Sequence, residues 1–476
     1  MKILIVDTAS YDRAPYLKYY ESACREGNTD HELYLWNRDN EGGLQKKDNC
    51  FTFHKICPLG NGKLRKLLPL FLYRKNLIKV IKDNKYSHLI LINTLASVMV
   101  SSYVFKHYKP NYPVRVAHII GKMCAGGVES VAFNYYREID HTKFQFDFYY
   151  DADSTVKPPQ DLIEMGARFI EIPPYQKLPQ YIQALRNYFR NEKYEIVHSH
   201  LNTLSVFPLF AAWLEHVPVR IAHNHSVPGG NEYGRNALKL FLKHFSNVFA
   251  NGFCACSEQA GRWLFGDTLF NKGEITILKN AVDYKRFNVK KELVCNKKKE
   301  LGIPENALVI GHVGRFTAAK NHQKIISIFE AVKKKRPETV LLLIGDGEER
   351  DSIIKRIKQD DIENVVYLTG KVEKPEYYYP LMDVLILPSV FEGVPVTIVE
   401  AQVAGIPCVI SDVVNKDVVI SNACHYKNVN ETDTDWAEEV LEACKERVVL
   451  TEESKKYNIH EAVKALEMKY KDLLRG

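Results

Sequence analysis

The sequence lacks the patterns that mark several large functional classes. Its ten cysteines form no pair of C-x2-C units, and the single C-x-C at 254–256 is weak evidence for a bound metal. The glycine-containing loop near residue 126 does not match G-x-G-x-x-G, so a nicotinamide cofactor is not supported. We find no zinc finger and no aromatic–basic RNA-binding motif, and we therefore expect no nucleic-acid partner.

Long apolar runs and a leader pattern are missing as well. The most apolar candidate, 88–105, is shorter than the ~20 residues of a membrane-spanning helix and carries several polar side chains. Residues 1–10 resemble a short strand and lack the basic and apolar regions of a signal peptide. Because apolar residues flank most cysteines, we expect reduced thiols and a cytoplasmic protein. The net charge of +7 is compatible with an anionic substrate and with an acidic surface, and it does not distinguish these two kinds of partner.

Short apolar runs alternate with helical patterns along the 476-residue chain, which predicts α/β architecture with parallel sheets. A Lys-rich stretch at 289–300 separates two series of such runs. The strand-like runs are 114–120, 144–150, 168–173, 194–200, 219–225, 252–257 and 274–278, then 308–314, 339–347, 364–370, 383–389 and 407–412. We therefore expect two successive doubly wound domains, 113–288 and 289–476, with the last helix of the second available to return to the first.

Residues 1–112 do not fit this scheme of two domains. Their patterns predict strands at 2–8, 31–36, 50–56 and 88–92 and helices at 14–26, 63–84 and 93–108. The stretch 91–120 echoes 199–225, which favours an internal repeat whose first copy stops halfway. We interpret 1–112 as a truncated Rossmann-like extension without an active site of its own. A docking module is the alternative.

Two carboxylates stand out in PSVFEGVPVTIVEAQVAGIPCVISD, residues 388–412. The pattern predicts a helix over 395–405, so that Glu392 lies on the loop before the helix and Glu400 lies inside it. Gly393 removes a side chain where the backbone could approach a ligand. The free N–H groups at the start of a helix bind anions. A loop carboxylate, a helix start and a second carboxylate together suit a phosphorylated sugar, although local salt bridges would also explain two glutamates.

Two further loops carry groups that suit phosphate. Gly126 and Gly127 lie between a strand and a helix, where they permit close approach of the backbone to phosphate or sugar oxygens. Arg315 and Lys320 follow another strand, and Arg can bind phosphate oxygens with two N–H groups while Lys supplies a point charge. Taken singly, the glycines could form an ordinary strand–helix turn and the two cations could be solvated surface charges.

Four histidines follow two neighbouring strand-like runs: His198, His200, His223 and His225. The carboxyl ends of parallel strands are where ligands bind in open α/β sheets. A divalent metal is one interpretation. Because no nearby carboxylate or cysteine completes a set of ligands, we expect no metal.

In combination these motifs resemble those of the retaining glycosyltransferases of family 4, which have the GT-B fold of two facing Rossmann-like domains. The resemblance covers 113–476 and is strongest to transferases of bacterial capsule and exopolysaccharide synthesis. It is carried by AHIIGKMCAGGVESVAFNYYREID, AHNHS, ILKNAVDYKRF, GHVGRFTAAKNH, LLIGDGEER and FEGVPVTIVEAQVAGIP. The last is the E-x7-E signature of the family. Residues 1–112 depart from the family pattern.

The resemblance implies a role for each candidate residue. Arg315 and Lys320 would hold the diphosphate of a nucleotide-sugar donor, and Glu400 would bind the ribose hydroxyls. The donor sugar and distal phosphate would meet Glu392, Gly393, Val394, Pro395 and Val396. Gly126 and Gly127 would close over the diphosphate, and His223, or His225 in another register, would lie beside the donor sugar.

The implied reaction is transfer of a sugar, as from a UDP-hexose, to a lipid-linked or polysaccharide acceptor with retention of anomeric configuration. It needs no cofactor and no metal, because a phosphate oxygen of the donor is thought to take the acceptor's proton. A nucleotide-sugar epimerase or hydrolase on the same fold, and a non-catalytic sugar-nucleotide-binding protein, are the alternatives. Basic amphipathic patterns at 62–85 and 234–249 further predict peripheral binding to an anionic membrane surface, on the inner face of the cell membrane.

Overall fold

A computed structural model describes residues 3–7, 31–35, 51–55, 88–91, 113–124, 126–227 and 233–475, with the backbone alone for the first four stretches and for 233–236. The chain forms two compact units, Met1–Pro113 and Val114–Gly476. All the candidate site residues lie in the second unit. The expected α/β class is confirmed in the second unit, where helices alternate with parallel strands.

The first unit contains a four-stranded parallel sheet with the strand order β3-β2-β1-β4. Its strands are β1 (Ile3–Asp7), β2 (His31–Leu35), β3 (Phe51–Lys55) and β4 (His88–Leu91). A parallel sheet is one part of the predicted Rossmann-like segment, and the assignment of 1–112 to such a segment stays a prediction. The helices expected over 14–26, 63–84 and 93–108 lie outside the described residues.

The second unit begins with a seven-stranded parallel sheet of order β11-β10-β9-β8-β5-β6-β7. Its strands are β5 (Val114–Gly121), β6 (Phe144–Asp151), β7 (Arg168–Ile172), β8 (Ile196–Ser199), β9 (Val219–Asn224), β10 (Gly252–Ala255) and β11 (Ile275–Ile277). The chain order runs outward in both directions from the neighbouring pair β5 and β8. Loops at the carboxyl ends of such a pair diverge and leave a crevice for ligands.

A six-stranded parallel sheet of order β14-β13-β12-β15-β16-β17 follows, with its own crevice between β12 and β15. Its strands are β12 (Leu308–Val313), β13 (Thr339–Ile344), β14 (Val366–Gly370), β15 (Val384–Leu387), β16 (Cys408–Ser411) and β17 (Cys424–Lys427). The two doubly wound sheets are as expected, except that β17 was not predicted. This edge strand has four half-buried residues and no apolar run, so its sequence carries little strand signal.

Thirteen α-helices are described. They are α1 (Gly127–Glu138), α2 (Gln160–Glu164), α3 (Leu178–Glu192), α4 (Val206–Leu214), α5 (Tyr233–Lys243), α6 (Glu258–Phe265), α7 (Asp267–Asn271), α8 (Lys291–Glu300), α9 (His322–Lys335), α10 (Arg350–Gln359), α11 (Val396–Val403), α12 (Asp433–Ala443) and α13 (Ile459–Arg475). The Lys-rich stretch between the two series of strands is therefore largely the helix α8. Among the described residues, no helix has the length and apolar content needed to cross a membrane.

The last helix, α13, packs on the seven-stranded sheet although its sequence follows the six-stranded one. Tyr470 on α13 is fully buried against that sheet. Glu467 on the same helix accepts a hydrogen bond from the backbone N–H of Asp140, which follows α1. One continuous apolar core includes side chains from both sheets, together with Val394 just before α11 and Val396 at its first position. The two sheets of the second unit are thus joined by shared packing, and their loops meet.

Candidate functional site

The candidate residues lie on loops that leave the carboxyl ends of the central strands. The first sheet contributes the loop after β5, with Gly126, and the ends of β8 and β9, with the histidines. The second sheet contributes the loops after β12 and β15, which carry Arg315, Lys320 and Glu392. Buried apolar strands thus present polar loops at one edge of each sheet.

Lys320 and Glu392 form an ion pair between the loops after β12 and β15. The Lys320 ammonium donates to Oε1 of Glu392, and the Ser389 hydroxyl donates to the same oxygen at 3.0 Å. The side chains of Lys320 and Glu392 are only 17% and 12% exposed. Because both bonds are to Oε1, the second carboxylate oxygen is left for a ligand. The pairing also cancels the charge of Glu392, which would otherwise repel a nearby phosphate.

Gly393 brings the loop after β15 against the first sheet. A Cβ atom there would lie 3.2 Å from the carbonyl oxygen of His225 and 3.5 Å from Cβ of Ser226. The missing side chain therefore makes room for the backbone of the facing domain, and the expected approach of a ligand to Gly393 stays a prediction. A cavity of about 90 Å³ at this contact is lined by residues that include His225, Ser257, Glu392 and Gly393.

The helix α11 starts at this contact, as predicted, and ends two residues before its expected end. Pro395 is its N-cap residue, with φ −68° and ψ 119°, and Gly405 has φ +82° beyond its C-terminus. The carbonyl of Val394 accepts a hydrogen bond from the Asn280 side chain at 2.7 Å, which fixes the approach of the loop. Val396 lies 3.9 Å from the position of a Cβ atom on Gly127. The first turn of α11, a source of free N–H groups, thus faces the glycine loop.

The glycine loop, residues 122–124 with Gly126 and Gly127, is held by Glu129, a residue that sequence reasoning missed. Its carboxylate accepts from the backbone N–H of Cys124 at 2.5 Å and of Gly126 at 2.6 Å. A Cβ atom on Gly126 would lie 2.7 Å from that carboxylate, so the close approach requires glycine. Burial raises the pKa of Glu129, which the two N–H groups oppose. A glutamate at the third helical position after an N-cap is the local signal that could have found it.

Arg315 reaches from the second sheet toward the same loop. Its guanidinium lies 3.7 Å from the Cys124 sulfur and pairs with Glu348 at 3.3 Å, and its side chain is half exposed. Burial raises the pKa of the Cys124 thiol, while the positive charges of Arg315 and Lys371 act in the opposite direction. A second cavity, of about 300 Å³, is lined by the glycine loop together with His200 and Asn202. Arg315 thus approaches the glycine loop that lines this cavity while it is paired with Glu348.

Glu400, on α11, belongs to a separate cluster of polar side chains. Tyr379 donates to its carboxylate at 2.6 Å. Burial raises the pKa of Glu400, and the nearby Glu376 adds to this effect, whereas Arg286 opposes it. Arg286 is itself bound to both carboxylate oxygens of Glu376 at 3.0 Å. Sequence reasoning missed Tyr379, Arg286 and Glu376, which lie far from Glu400 in the chain.

The four predicted histidines lie together, and His118 on β5 joins them. All five are buried. Burial lowers the pKa of each of them, to about 3 for His118 and His225, so all are neutral near pH 7. Two sets could hold a metal ion: His118, His198 and His200, and His200, His223 and His225. Only two of the ten ring nitrogens, Nε2 of His223 and Nδ1 of His225, have no hydrogen-bond partner in the described part of the chain.

Comparison with known proteins identifies the family. The family model described as glycosyl transferases group 1 matches residues 295–464, and the model for glycosyltransferase family 4 matches 125–286. The putative glycosyltransferase EpsF of Bacillus subtilis is 31% identical over 336 residues, which cover 69% of this chain and 87% of that protein. The UDP-Gal:alpha-D-GlcNAc-diphosphoundecaprenol alpha-1,3-galactosyltransferase of Escherichia coli is 22% identical over 320 residues, covering 65% and 82% of the two chains.

A solved structure shows the same fold. The HepE protein of Anabaena, in complex with UDP and glucose, aligns with a TM-score of 0.57 at 16% identity, covering 75% of this chain and 95% of its own. WaaG, a glycosyltransferase of lipopolysaccharide biosynthesis, aligns with a TM-score of 0.52 at 12% identity, covering 75% and 95% of the two chains. The chain belongs to the family 4 glycosyltransferases of the GT-B fold, and it is a nucleotide-sugar-dependent enzyme.

Proposed function

We propose that the enzyme transfers a hexose from a UDP-hexose to a lipid-linked or polysaccharide acceptor, with retention of anomeric configuration, during capsule or exopolysaccharide synthesis. The names of the relatives support this substrate class. The Escherichia coli relative is named for a UDP-galactose donor and a diphosphoundecaprenol acceptor. A Staphylococcus aureus relative, 25% identical over 302 residues, is named for capsular polysaccharide biosynthesis.

The convergence of charged groups where the two domains meet carries this proposal. Lys320 and Glu392 form a nearly buried pair on one side, and Arg315 points at the glycine loop from the same domain. A diphosphate carries negative charge, and Arg315 faces the glycine loop with an exposed carboxylate, Glu348, as its ion-pair partner. A neutralised Glu392 can accept hydrogen bonds from sugar hydroxyls without repelling that diphosphate.

Each candidate residue has a proposed role in donor binding. Arg315 and Lys320 hold the diphosphate and stabilise the charge that grows on it as it leaves. Glu392 and the backbone of 393–396 bind the donor sugar and the distal phosphate. The start of α11, which opposes Gly127, adds the partial positive charge of a helix N-terminus.

The remaining roles concern the ends of the donor. Glu400 accepts hydrogen bonds from the ribose hydroxyls, with Tyr379 holding its carboxylate in place. Gly126 and Gly127 close over the diphosphate, and Glu129 fixes the loop that carries them. His223 lies beside the donor sugar, with His225 next to it.

The reaction relies on positioning and charge rather than on a protein nucleophile. The acceptor hydroxyl attacks the anomeric carbon from the face that the diphosphate leaves. A phosphate oxygen of the leaving group takes its proton. The oxocarbenium-like transition state is stabilised by the cations at the leaving group. Closure of the domains over the donor excludes water and limits hydrolysis.

The helix α5 and the turn that follows it suit an acceptor held in a membrane. Large apolar side chains there are exposed: Leu238, Leu240, Phe241, Phe245 and Val248. Lys239 and Lys243 lie among them. A surface that combines exposed apolar side chains with lysines binds the interface of an anionic bilayer. We call residues 238–248 the apolar ridge, and we place the membrane-bound acceptor on this side.

The deciding experiment compares nucleotide release with and without acceptor. UDP- and GDP-sugars are incubated with the full chain alone and then with undecaprenyl-diphosphate-linked saccharides. We expect UDP release and an elongated lipid-linked product only in the second case, with the new anomeric centre in the donor's configuration by NMR. An epimerase or hydrolase would consume the donor alone. Binding of the donor without release under any condition would indicate a non-catalytic protein.

A further inference from the structure

Six buried side chains beside the cleft are joined by one continuous line of hydrogen bonds. We call this line the histidine chain. Its members, in order, are His225, His200, His118, Tyr470, His198 and His223. All six are more than nine-tenths buried. The five histidines come from three neighbouring strands and the loops that follow them, and the tyrosine comes from the last helix, α13.

The first arm of the chain runs from His225 to Tyr470. Nε2 of His225 lies 2.9 Å from Nδ1 of His200. Nε2 of His200 lies 2.9 Å from Nδ1 of His118. Nε2 of His118 lies 3.2 Å from the Tyr470 hydroxyl. Every contact in this arm therefore joins an Nε2 atom to the next group toward the tyrosine.

The second arm runs from Tyr470 to His223. The hydroxyl of Tyr470 lies 2.7 Å from Nδ1 of His198, and Nε2 of His198 lies 3.1 Å from Nδ1 of His223. The chain ends at Nδ1 of His225 and Nε2 of His223, both buried and without a hydrogen-bond partner among the described residues. The two end rings stack with their centroids 4.0 Å apart, so the two ends of the chain lie side by side.

The number of protons in the neutral chain determines what its ends offer. A neutral imidazole has one N–H, and its other nitrogen accepts a hydrogen bond. The five imidazoles and the tyrosine hydroxyl supply six protons, and each of the five hydrogen bonds uses one of them. One proton remains for the two ends. One end is therefore a donor and the other is an acceptor.

The direction of the Tyr470 hydroxyl determines all five tautomers. If it donates to His118, each histidine must carry its proton on Nδ1, and the donor end is His225. If it donates to His198, each must carry its proton on Nε2, and the donor end is His223. A mixture of tautomers would leave a bond with no proton or with two. Asp147 is the one carboxylate whose charge raises the pKa of His118, and it is already paired with Arg115 and Arg168.

We propose that the histidine chain positions the donor sugar by holding one of its hydroxyl groups between the two ends, and that the five tautomers switch as a unit. A hydroxyl both donates and accepts, so it matches one donor end and one acceptor end. His225 lines the cavity that Glu392 also lines. The proposal rests on the proposed function only in naming a sugar hydroxyl as the group that is held.

When all five tautomers switch, one proton enters the histidine chain and one leaves it, so the net charge of the chain does not change. A proton that binds Nε2 of His223 shifts the Nδ1 proton of His223 to His198 and that of His198 to the Tyr470 oxygen. The Tyr470 proton then passes to His118, and the same step repeats along the first arm. One proton finally leaves Nδ1 of His225. The gain at one end equals the loss at the other.

Nitrogen-15 NMR of the full chain, labelled in histidine, tests the coupling in the free protein near pH 7. The shifts of Nδ1 and Nε2 distinguish the two tautomers and the imidazolium. We expect the five chain histidines to be neutral and to share one tautomer, and we expect Tyr470→Phe to give mixed tautomers because the two arms are then independent. Tyr457→Phe is the matched control, since it removes another buried hydroxyl, one that donates to the Asp417 carbonyl.

Mixed tautomers in the wild type, an imidazolium among the five, or a stoichiometric transition-metal ion in the purified protein would overturn the coupling.

Calorimetry with UDP-glucose, UDP-galactose and UDP tests whether the histidine chain holds a hydroxyl group of the donor sugar. Tyr470→Phe should weaken the preferred UDP-sugar at least fivefold and leave UDP unchanged. Equal loss for UDP, or no loss for either sugar, would overturn the positioning role. The NMR result does not depend on whether transfer occurs, so the two proposals can fail separately.

Discussion

Lys320 donates to Glu392 across two loops that are 72 residues apart in the chain. The loops meet because the strands before them, β12 and β15, are neighbours in the six-stranded sheet. Glu392 also accepts from Ser389, so its Oε1 is fully engaged. The pair therefore sets both the charge and the direction of the remaining carboxylate oxygen.

Lys320→Ala should lower the turnover rate at least tenfold while changing uridine binding little. The variant removes a cation that stabilises the leaving diphosphate and also leaves Glu392 as an unpaired negative charge beside it. Steady-state kinetics and uridine titrations measure the two effects. Lys335→Ala is the control, because Lys335 forms an exposed pair with Glu438 at the far end of α9. Unchanged turnover in Lys320→Ala would show that this lysine has no part in the reaction.

Glu400→Gln should stabilise the free protein near pH 7 to 8 while weakening donor binding. Burial raises the pKa of Glu400 in the folded state. A raised pKa means that stability falls as the pH rises from the unfolded value of about 4.3 toward the folded value, and it stays lower above that. Glutamine cannot ionise and still accepts from Tyr379. The stability gain should therefore disappear below about pH 4.

Thermal unfolding at pH 4 to 8, with and without UDP, measures both effects of Glu400→Gln. We expect a higher midpoint without UDP and a smaller rise on adding UDP, with donor affinity reduced about tenfold or more by the loss of charge-assisted hydrogen bonds. Glu438→Gln, on the exposed side of α12, should change neither the unfolding midpoint without UDP nor its rise on adding UDP. A wild-type response to UDP in Glu400→Gln would contradict the ribose assignment.

Glu129→Ala should raise the donor KM by about 10- to 100-fold, because two backbone N–H groups of the glycine loop lose their acceptor. Gly126→Ala should have the same effect, since its new Cβ atom would displace the Glu129 carboxylate. Ser130→Ala is the matched control, as it removes only an exposed hydrogen bond to the Gly126 carbonyl. If Glu129→Ala and Ser130→Ala gave equal kinetics, the loop would not depend on Glu129.

The paired variant Phe241→Ser and Phe245→Ser should weaken binding to anionic vesicles severalfold. These side chains are 61% and 40% exposed on the apolar ridge. Sedimentation with vesicles that contain phosphatidylglycerol measures the binding, which should also fall as salt rises, because exposed charges are screened. Met468→Ser is the control, since Met468 is 61% exposed on α13. Salt-insensitive binding, or an equal effect of Met468→Ser, would argue against the ridge.

Local patterns predicted the strands and the α11 region well, because apolar runs and turn residues act over a few positions. Glu392, Arg315 and Lys320 were recognised as candidates from such patterns. Their pairing was not, because it follows from the order of strands in the sheet, which no local pattern encodes. Glu129 lies in a recognisable capping position and could have been found.

Contacts between distant parts of the chain were beyond sequence reasoning. Tyr470 lies 352 residues from His118, and among the described residues its buried hydroxyl is the only group that joins the two arms of the histidine chain by hydrogen bonds. Nothing around Tyr470 in the sequence distinguishes it from other aromatic residues of an amphipathic helix. Gly393 was recognised from its sequence context as a site of close approach, but its contact with the His225 backbone was not, because the two residues lie on different domains.

A chain that begins at residue 113 should fold and retain donor turnover. Val114–Gly476 forms a compact unit that contains both doubly wound sheets and every candidate site residue. The extension supplies a parallel sheet of four strands and none of the groups assigned to the donor. Circular dichroism, thermal unfolding and acceptor-dependent UDP release, each compared with the full chain, measure the outcome. A shortened chain that is insoluble or inactive, while the full chain works, would show that residues 1–112 are an integral part of the enzyme and that their interpretation as a truncated extension is wrong.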